Sequence, residues 1–475
     1  MSQCIPTLFD FQDLGTREVV AAFDGGKVTS DAGGLLLREV EEKFRFVEQF
    51  ARCFTDHRDP ELIEHTLLEL IKQRVFGLCL GYEDLNDHDQ LRLDPLLAVL
   101  VGKTDPLGNE RARVRDQGKP LAGKSTLNRL ELTAIGDDEG SRYTKILANM
   151  NEIQNYLVDV FVQQQQTPPK RIVLDLDATD DPIHGHQLGK FFHGYYDCDC
   201  YLPLYIFCGD HPLCAALRPS DIDASAGSLV YIERIVKGIR EKWPDVQIIL
   251  RGDSGFCRDY LMTWCEANGV DFLFGLAKNK RLLRIVGQEM HEAKLQFEQA
   301  QQAARVFKDF EYSTHKSWHR ARRVVGKAEH LKKGANPRFV VTSLSSEAFD
   351  AKTLYEQEYC ARGEMENRIK EQQLMMFADR TSCETFRANQ VRLYMSTVAY
   401  IVMRAMREFG LQGTEMAQAQ CSTIRVKLLK LGAVIRVTVR RVVLSLSEAF
   451  AFRDVFMKVW QNLRDLRLPA ATPTG

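Results

Sequence analysis

The chain has 475 residues, 45% of them hydrophobic and 27% charged, which suggests a globular protein of two to four structural units. No stretch approaches the roughly 18 consecutive apolar residues of a membrane span, and MSQCIPTLFDFQDLG lacks the basic start and apolar core of a secretion signal. Twelve cysteines are scattered without a CxxC pair, which argues against a zinc site and for free thiols in a reducing cytosol. The net charge of −1 conceals two basic stretches, with 15 Lys and Arg against 6 Asp and Glu over 275–338 and 10 against 3 over 421–475. Such stretches on a near-neutral chain suggest a polyanionic partner.

Residues 1–165 read as a mostly helical N-terminal region. A hairpin is expected in VVAAFDGGKVTSD, turning at Asp24-Gly25-Gly26, and a helix from Asp59-Pro60 onward, where Leu62, Ile63, Leu67, Leu68, Leu70, Ile71 and Val75 recur at helical spacing. Gly118 to Ser125 fits GxxxxGK[ST], the pattern of a phosphate-binding loop. The preceding GNERARVRDQ is too charged for the buried strand such a loop requires, so no nucleotide is expected. Lys124 is assigned instead, with Arg111, Arg113, Arg115, Lys119 and Arg129, to contact with a nucleic-acid backbone.

After a linker at QQTPPK the pattern changes. Strands are expected at 171–177, 201–207 and 212–218, then a helix at 228–243, a strand at 246–253, a helix at 259–269 and a strand at 271–277. Residues 281–337 are charged and irregular with short β-like pieces; a strand at 338–344 and a long helix from near Lys352 follow. Residues 401–475 read as a helical, basic C-terminal region. The order implies an α/β fold, a mixed sheet with helices on its faces. Its core would run over 166–280 and 338–400, broken by a mostly β insertion at 281–337.

The acidic residues carry the chemistry. Asp175 and Asp177 end the first strand, Asp253 in LRGDSGF ends a later one, and Glu356, Glu358, Glu364, Glu366 and Glu371 crowd one helix. Carboxylates from different strand ends and a facing helix can converge on hard divalent cations. Two Mg²⁺ ions about 3.5–4 Å apart, with Mn²⁺ able to substitute, would activate an attacking oxygen and stabilise a leaving one in phosphodiester chemistry. His184, His186 and His193 are assigned to local hydrogen bonding rather than to metal.

LDLDATDDPIHG, RGDSGF and YCARGEMENRIKEQ resemble the three acidic motifs of DDE transposases of bacterial insertion sequences. SDAGGLLLREVEEKF, AGKSTLNRLE and LLKLGAVIRVTVRRVVLSLSEAF resemble the N- and C-terminal parts of the thirteen-eighty group of those elements. The resemblance implies a ribonuclease H-like core and a cytoplasmic enzyme acting on double-stranded transposon ends and target DNA, as a homodimer in the DNA complex. It implies that Asp177, Asp253 and Glu366 hold the metals and that Tyr359 and Arg362 position DNA phosphate. Tyr359, Arg362 and Glu366 fall at the spacing of the family's Tyr-x2-Arg-x3-Glu-x6-Lys signature, but Gln373 stands where its lysine belongs, leaving Lys370 as a substitute. The resemblance further implies that an aromatic residue of the insertion stacks on a flipped base. Trp318 is that candidate, with Arg320 and Arg322 beside it, although packing within the insertion's own core is an equal reading. Arg436, Arg440 and Arg441 are expected to contact DNA. A DNA-binding remnant of a decayed element is the alternative.

Overall fold

The computed structural model describes residues 8–132, 145–165, 167–183 and 185–467. The chain divides into two compact units, one built from Asn149–Leu374 and Ala378–Thr397, the other from Met1–Ala148, Met375–Phe377 and Val398–Gly475.

The first unit is organised by a nine-stranded mixed sheet. Its order along the sheet is His211–Ala216, Leu204–Cys208, Arg171–Ala178, Gln247–Gly252, Asp271–Leu276, Arg338–Thr342, Arg322–Leu331 and Ala304–Tyr312, with Gly334–Ala335 paired to Arg322–Leu331. Arg171–Ala178, Gln247–Gly252 and Asp271–Leu276 run parallel, and the other pairings are antiparallel. The parallel strands are apolar on the face that packs into the larger core, while the other face of Arg171–Ala178 and Gln247–Gly252 mixes Val173 and Ile249 with Arg171, Asp175, Asp177, Gln247 and Arg251. Ile172, Leu174, Leu176, Ile248 and Leu250 point into a core closed by helices Met150–Gln164, Ser228–Lys242 and Asp259–Ala267. Val173 and Ile249 point the other way, into a smaller core with Leu354 and Tyr355. Those two residues belong to a helical run over 351–375, whose turns widen at Leu354–Tyr359, tighten at Cys360–Arg362 and are regular over Gly363–Lys370.

The insertion differs from its sequence reading. It opens with helices Lys280–Ile285 and Gly287–Ala300, and its hairpin Ala304–Tyr312/Arg322–Leu331 extends the main sheet. It is therefore not mostly β. Gly287–Ala300 is rich in strong helix formers but buries only Ala293, so intrinsic propensity rather than an apolar stripe marks it.

In the second unit, Arg17–Ala21 pairs back onto Phe9–Leu14, and Lys27–Thr29 joins Ala433–Val437. The hairpin expected at Asp24-Gly25-Gly26 does not form. Asp59 caps only the short turn Pro60–Leu62; the long helix is Leu67–Leu80, opened by a reciprocal cap between Thr66 and Glu69. The basic C-terminal region is not wholly helical, since Ala433–Val437 and Val442–Leu446 form a hairpin. No strand lies between 102 and 123, so the helix Lys124–Glu131 lacks the strand that a phosphate loop needs. Among the described residues no helix is long and apolar enough to cross a membrane.

Candidate active site

Strand parity brings two aspartates together. Val173, Asp175 and Asp177 share one face of their strand, and Ile249, Arg251 and Asp253 follow the same period on the next. The parallel register sets Arg251 against Asp175 and Gly252 against Leu176, so Asp253 leaves its strand beside Asp177. Asp177 Oδ1 accepts from the Ala178 backbone N–H at 3.1 Å at the end of its strand, and Asp253 Oδ1 accepts from that of Gly255 at 2.8 Å in the turn after its strand. The same face is covered by the 351–375 helix, which supplies Arg362 and Glu366.

Arg362 stands among the three carboxylates. It donates to Glu366 Oε1 at 2.7 Å and lies 3.8 Å from Asp177 Oδ2. Burial opposes its charge, but Asp177, Tyr359, Glu366 and Asp253 together hold its guanidinium above the usual value. Burial, opposed by Arg362 and reinforced by Asp253 and Glu366, pushes the Asp177 carboxyl up to about 7. Asp253 and Glu366 both add to that rise, so their charges lie close enough to act on Asp177.

The donor set fits a hard divalent cation: three oxygen-ligand side chains, two from strand ends and one from a helix, with more negative charge than Arg362 neutralises. Among the described residues no three metal-binding side chains already stand in ligating geometry. Glu366 is instead engaged with Arg362, so cation binding requires that ion pair to rearrange.

Tyr359 lies one turn before Arg362, and its hydroxyl reaches the mouth of the site. A Cβ added at Gly275 would sit 2.5 Å from that oxygen and 3.0 Å from the Ser254 backbone nitrogen. Gly275 thus keeps the strand thin enough to admit the tyrosine, and a glycine inside DFLFGL was its only sequence signal. Gln373, on the same helical run, is 9% exposed and donates to the Asp180 carbonyl at 3.1 Å. It braces the loop that follows Asp177. Lys370 is exposed.

The remaining sequence candidates are spread more widely. Trp318 is 8% exposed and packs edge-on against Tyr312 at 5.8 Å, inside the larger core. Arg322 is buried and committed to Asp259 and Glu266, both at 2.7 Å, whereas Arg320 is largely exposed. Lys124 is half-exposed and meets Asp89 and Asn86. Arg436, Arg440 and Arg441 are exposed on the C-terminal hairpin and its turn. His186 is exposed, His193 packs against Tyr196, and His184 lies outside the described residues.

Asp181, four residues beyond Asp177, escaped the sequence reading. It is 1% exposed, its Oδ1 has no hydrogen-bond partner, and burial, with Asp379 and Asp180 nearby, pushes its carboxyl up to about 9. The folded chain therefore keeps this proton between about pH 4 and pH 9, where the unfolded chain has lost it, and stability falls as pH rises through that window. Asp181→Asn should raise stability at pH 8 by a few kcal/mol and flatten the pH dependence of unfolding. A denaturant melt showing no gain over the wild type at pH 8 would contradict a protonated Asp181.

Residues 11–468 match the family model of transposase DDE domain group 1. No curated protein matches the sequence. Among solved structures, a piggyBac transposase synaptic complex with hairpin DNA, determined by cryo-electron microscopy, is similar over 94% of this chain and 87% of that one. The TM-score is 0.42 and the identity 10%, a likeness too remote to bear on function. With nearly its full length matched, and acidic side chains from two strand ends and a helix meeting at one site, the chain belongs to the transposase DDE domain group 1 family.

Proposed function

We propose that the chain binds the terminal inverted repeats of an insertion sequence of the thirteen-eighty group, cleaves the DNA there and joins the freed 3′-hydroxyl ends to target DNA. The observation that carries this reading is the convergence of Asp177, Asp253 and Glu366 around Arg362. The strand order supports a ribonuclease H-like core: the antiparallel strands His211–Ala216, Leu204–Cys208 and Arg171–Ala178 are followed by Gln247–Gly252 and Asp271–Leu276 parallel to the last of them, with the two aspartates at the ends of the adjacent strands Arg171–Ala178 and Gln247–Gly252.

Asp177, Asp253 and Glu366 would hold two Mg²⁺ ions, or Mn²⁺ in their place. Bound there, the ions would supply activation of the attacking oxygen and charge stabilisation of the leaving one. Arg362 offers a planar fork for a phosphate once Glu366 releases it, and Tyr359 orients the same phosphate through its hydroxyl. Lys370, exposed on the next turn, meets the flanking backbone. Pairing two ends requires at least two copies of the chain in the DNA complex, and the site of action is the cytoplasm, where the DNA of a bacterial element resides.

Nicking of a labelled duplex carrying the repeats that flank the reading frame, with Mg²⁺ and without ATP, tests the reaction. Binding of that duplex without nicking would favour the remnant reading, which the missing signature lysine at Gln373 motivates. The exposure of Arg436, Arg440 and Arg441 on the C-terminal hairpin and its turn supports contact with DNA. Replacing all three with alanine should weaken end binding and make the slope of log affinity against log salt shallower by roughly 0.9 for each phosphate no longer neutralised. A filter-binding titration with an unchanged slope would take the hairpin off the DNA.

A further inference from the structure

One step below the acidic cluster, on the face covered by the 351–375 helix, the register pairs Asp175 with Arg251. Their side chains are 6% and 9% exposed. Arg251 donates from Nε and Nη2 to the two Asp175 oxygens at 2.5 and 2.7 Å. Its remaining nitrogen, Nη1, donates to the backbone carbonyl of Glu358. That carbonyl belongs to the widened turn Leu354–Tyr359, immediately before the tight turn Cys360–Arg362. One guanidinium therefore ties together the strand ending in Asp177, the strand leading to Asp253 and the helix carrying Glu366. Every ligand-bearing element is in the clamp, and none of the three ligands is.

A buried ion pair is a weak source of stability, because desolvation offsets most of its attraction. Its planar fork is well suited to fixing geometry, since one rigid group satisfies a carboxylate and a carbonyl in set directions. We propose that Arg251 and Asp175 are positioning residues that set where Asp177 and Asp253 stand relative to Glu366, and hence the affinity of the site for divalent cations. This role rests on the active-site reading above.

The test is Mn²⁺ binding to the full-length protein, followed by electron paramagnetic resonance of the free ion, with the metal-free melting temperature of every variant recorded alongside. Arg251→Lys keeps a positive charge facing Asp175 but cannot reach the Glu358 carbonyl at the same time. It should weaken Mn²⁺ binding about tenfold or more, the range seen when a residue that orients metal ligands is removed. The double variant Asp175→Leu/Arg251→Met removes the pair and fills its volume. It should melt within about 5 °C of the wild type and still bind Mn²⁺ as weakly as Arg251→Lys. Wild-type affinity in either variant overturns the positioning role, and Arg251→Lys decides alone if the double variant does not fold. Asp253→Asn, run in parallel, should abolish the binding. Binding abolished in Asp253→Asn but intact in the pair variants overturns the positioning role alone. Binding indifferent to Asp253→Asn overturns the active-site reading and the positioning role with it.

Discussion

Glu366→Gln should eliminate metal-dependent nicking of end DNA, while Glu364→Gln should retain most of it. At about 100° per residue, Glu364 lies nearly opposite Glu366, which falls about 40° from Arg362, one turn before it. The structure is regular over Gly363–Lys370, so this geometry applies where the two glutamates sit. Glu366 meets Arg362 and raises the Asp177 carboxyl, whereas Glu364 lines a cavity of about 250 Å³ with Asp175, Arg251 and Arg171, below the site. The other glutamates are engaged elsewhere: Glu358 with Arg171, Glu356 with Arg305 and Glu371 with Arg368. Losing a metal-bound carboxylate removes several kcal/mol of transition-state stabilisation, so a fall of roughly a thousandfold or more is expected. Single-turnover nicking at saturating Mg²⁺ measures it. An active Glu366→Gln alongside a dead but folded Glu364→Gln would refute the helix-face argument and the transfer of the family signature together.

The parts of the fold that sequence made legible are those with a strong period. The parallel strands of the sheet emerged within a few residues of their positions because buried parallel strands read as short apolar runs. Helices Ser228–Lys242 and Asp259–Ala267 carried clear stripes. Gly287–Ala300 did not, because its apolar residues are few and Ala293 alone among them is fully buried. Long-range pairing was invisible too. Lys27–Thr29 finds its partner some four hundred residues later, and nothing local distinguishes that from a hairpin with Arg17–Ala21. The start of the Leu67–Leu80 helix was missed because Asp59-Pro60 looks like an opening, while the Thr66–Glu69 cap sits inside an already apolar run.

Within the site, sequence supplied residue types and spacing, and the fold supplied which of them meet. Parity alone left Asp175 and Asp177 equivalent. What separates them is depth: Asp175 lies low enough in the sheet for the Arg251 side chain to enclose it, and Asp177 lies at the rim. The Arg251-Gly252-Asp253 tripeptide likewise splits into two roles, an arginine turned down into the protein and an aspartate at the strand end. A guanidinium buried beside an active site has no sequence signature beyond its place in an apolar strand.

That difference in depth separates the expected phenotypes of Asp177→Asn and Asp175→Asn. Asp177→Asn should abolish cleavage, by roughly a thousandfold or more, because an amide is a poor substitute for a carboxylate ligand. End binding should be nearly unchanged, since the many phosphates along the duplex dominate affinity. Metal-free stability should not fall either. The Asp177 carboxyl titrates at about 7 in the fold against 3.8 when unperturbed, so the native state holds the extra proton and this group's contribution declines as pH rises between those values. A neutral asparagine escapes that decline and should melt at or above the wild type at pH 8. Asp175→Asn should behave in the opposite way. It leaves Arg251 buried without its counter-charge, a destabilisation of about 3–5 kcal/mol, while the folded fraction still nicks DNA when metal is abundant. Calorimetry and nicking on the same preparations distinguish the two. Should Asp175→Asn prove stable and inactive while Asp177→Asn remains active, the metal ligand would be Asp175 and the depth argument would be wrong.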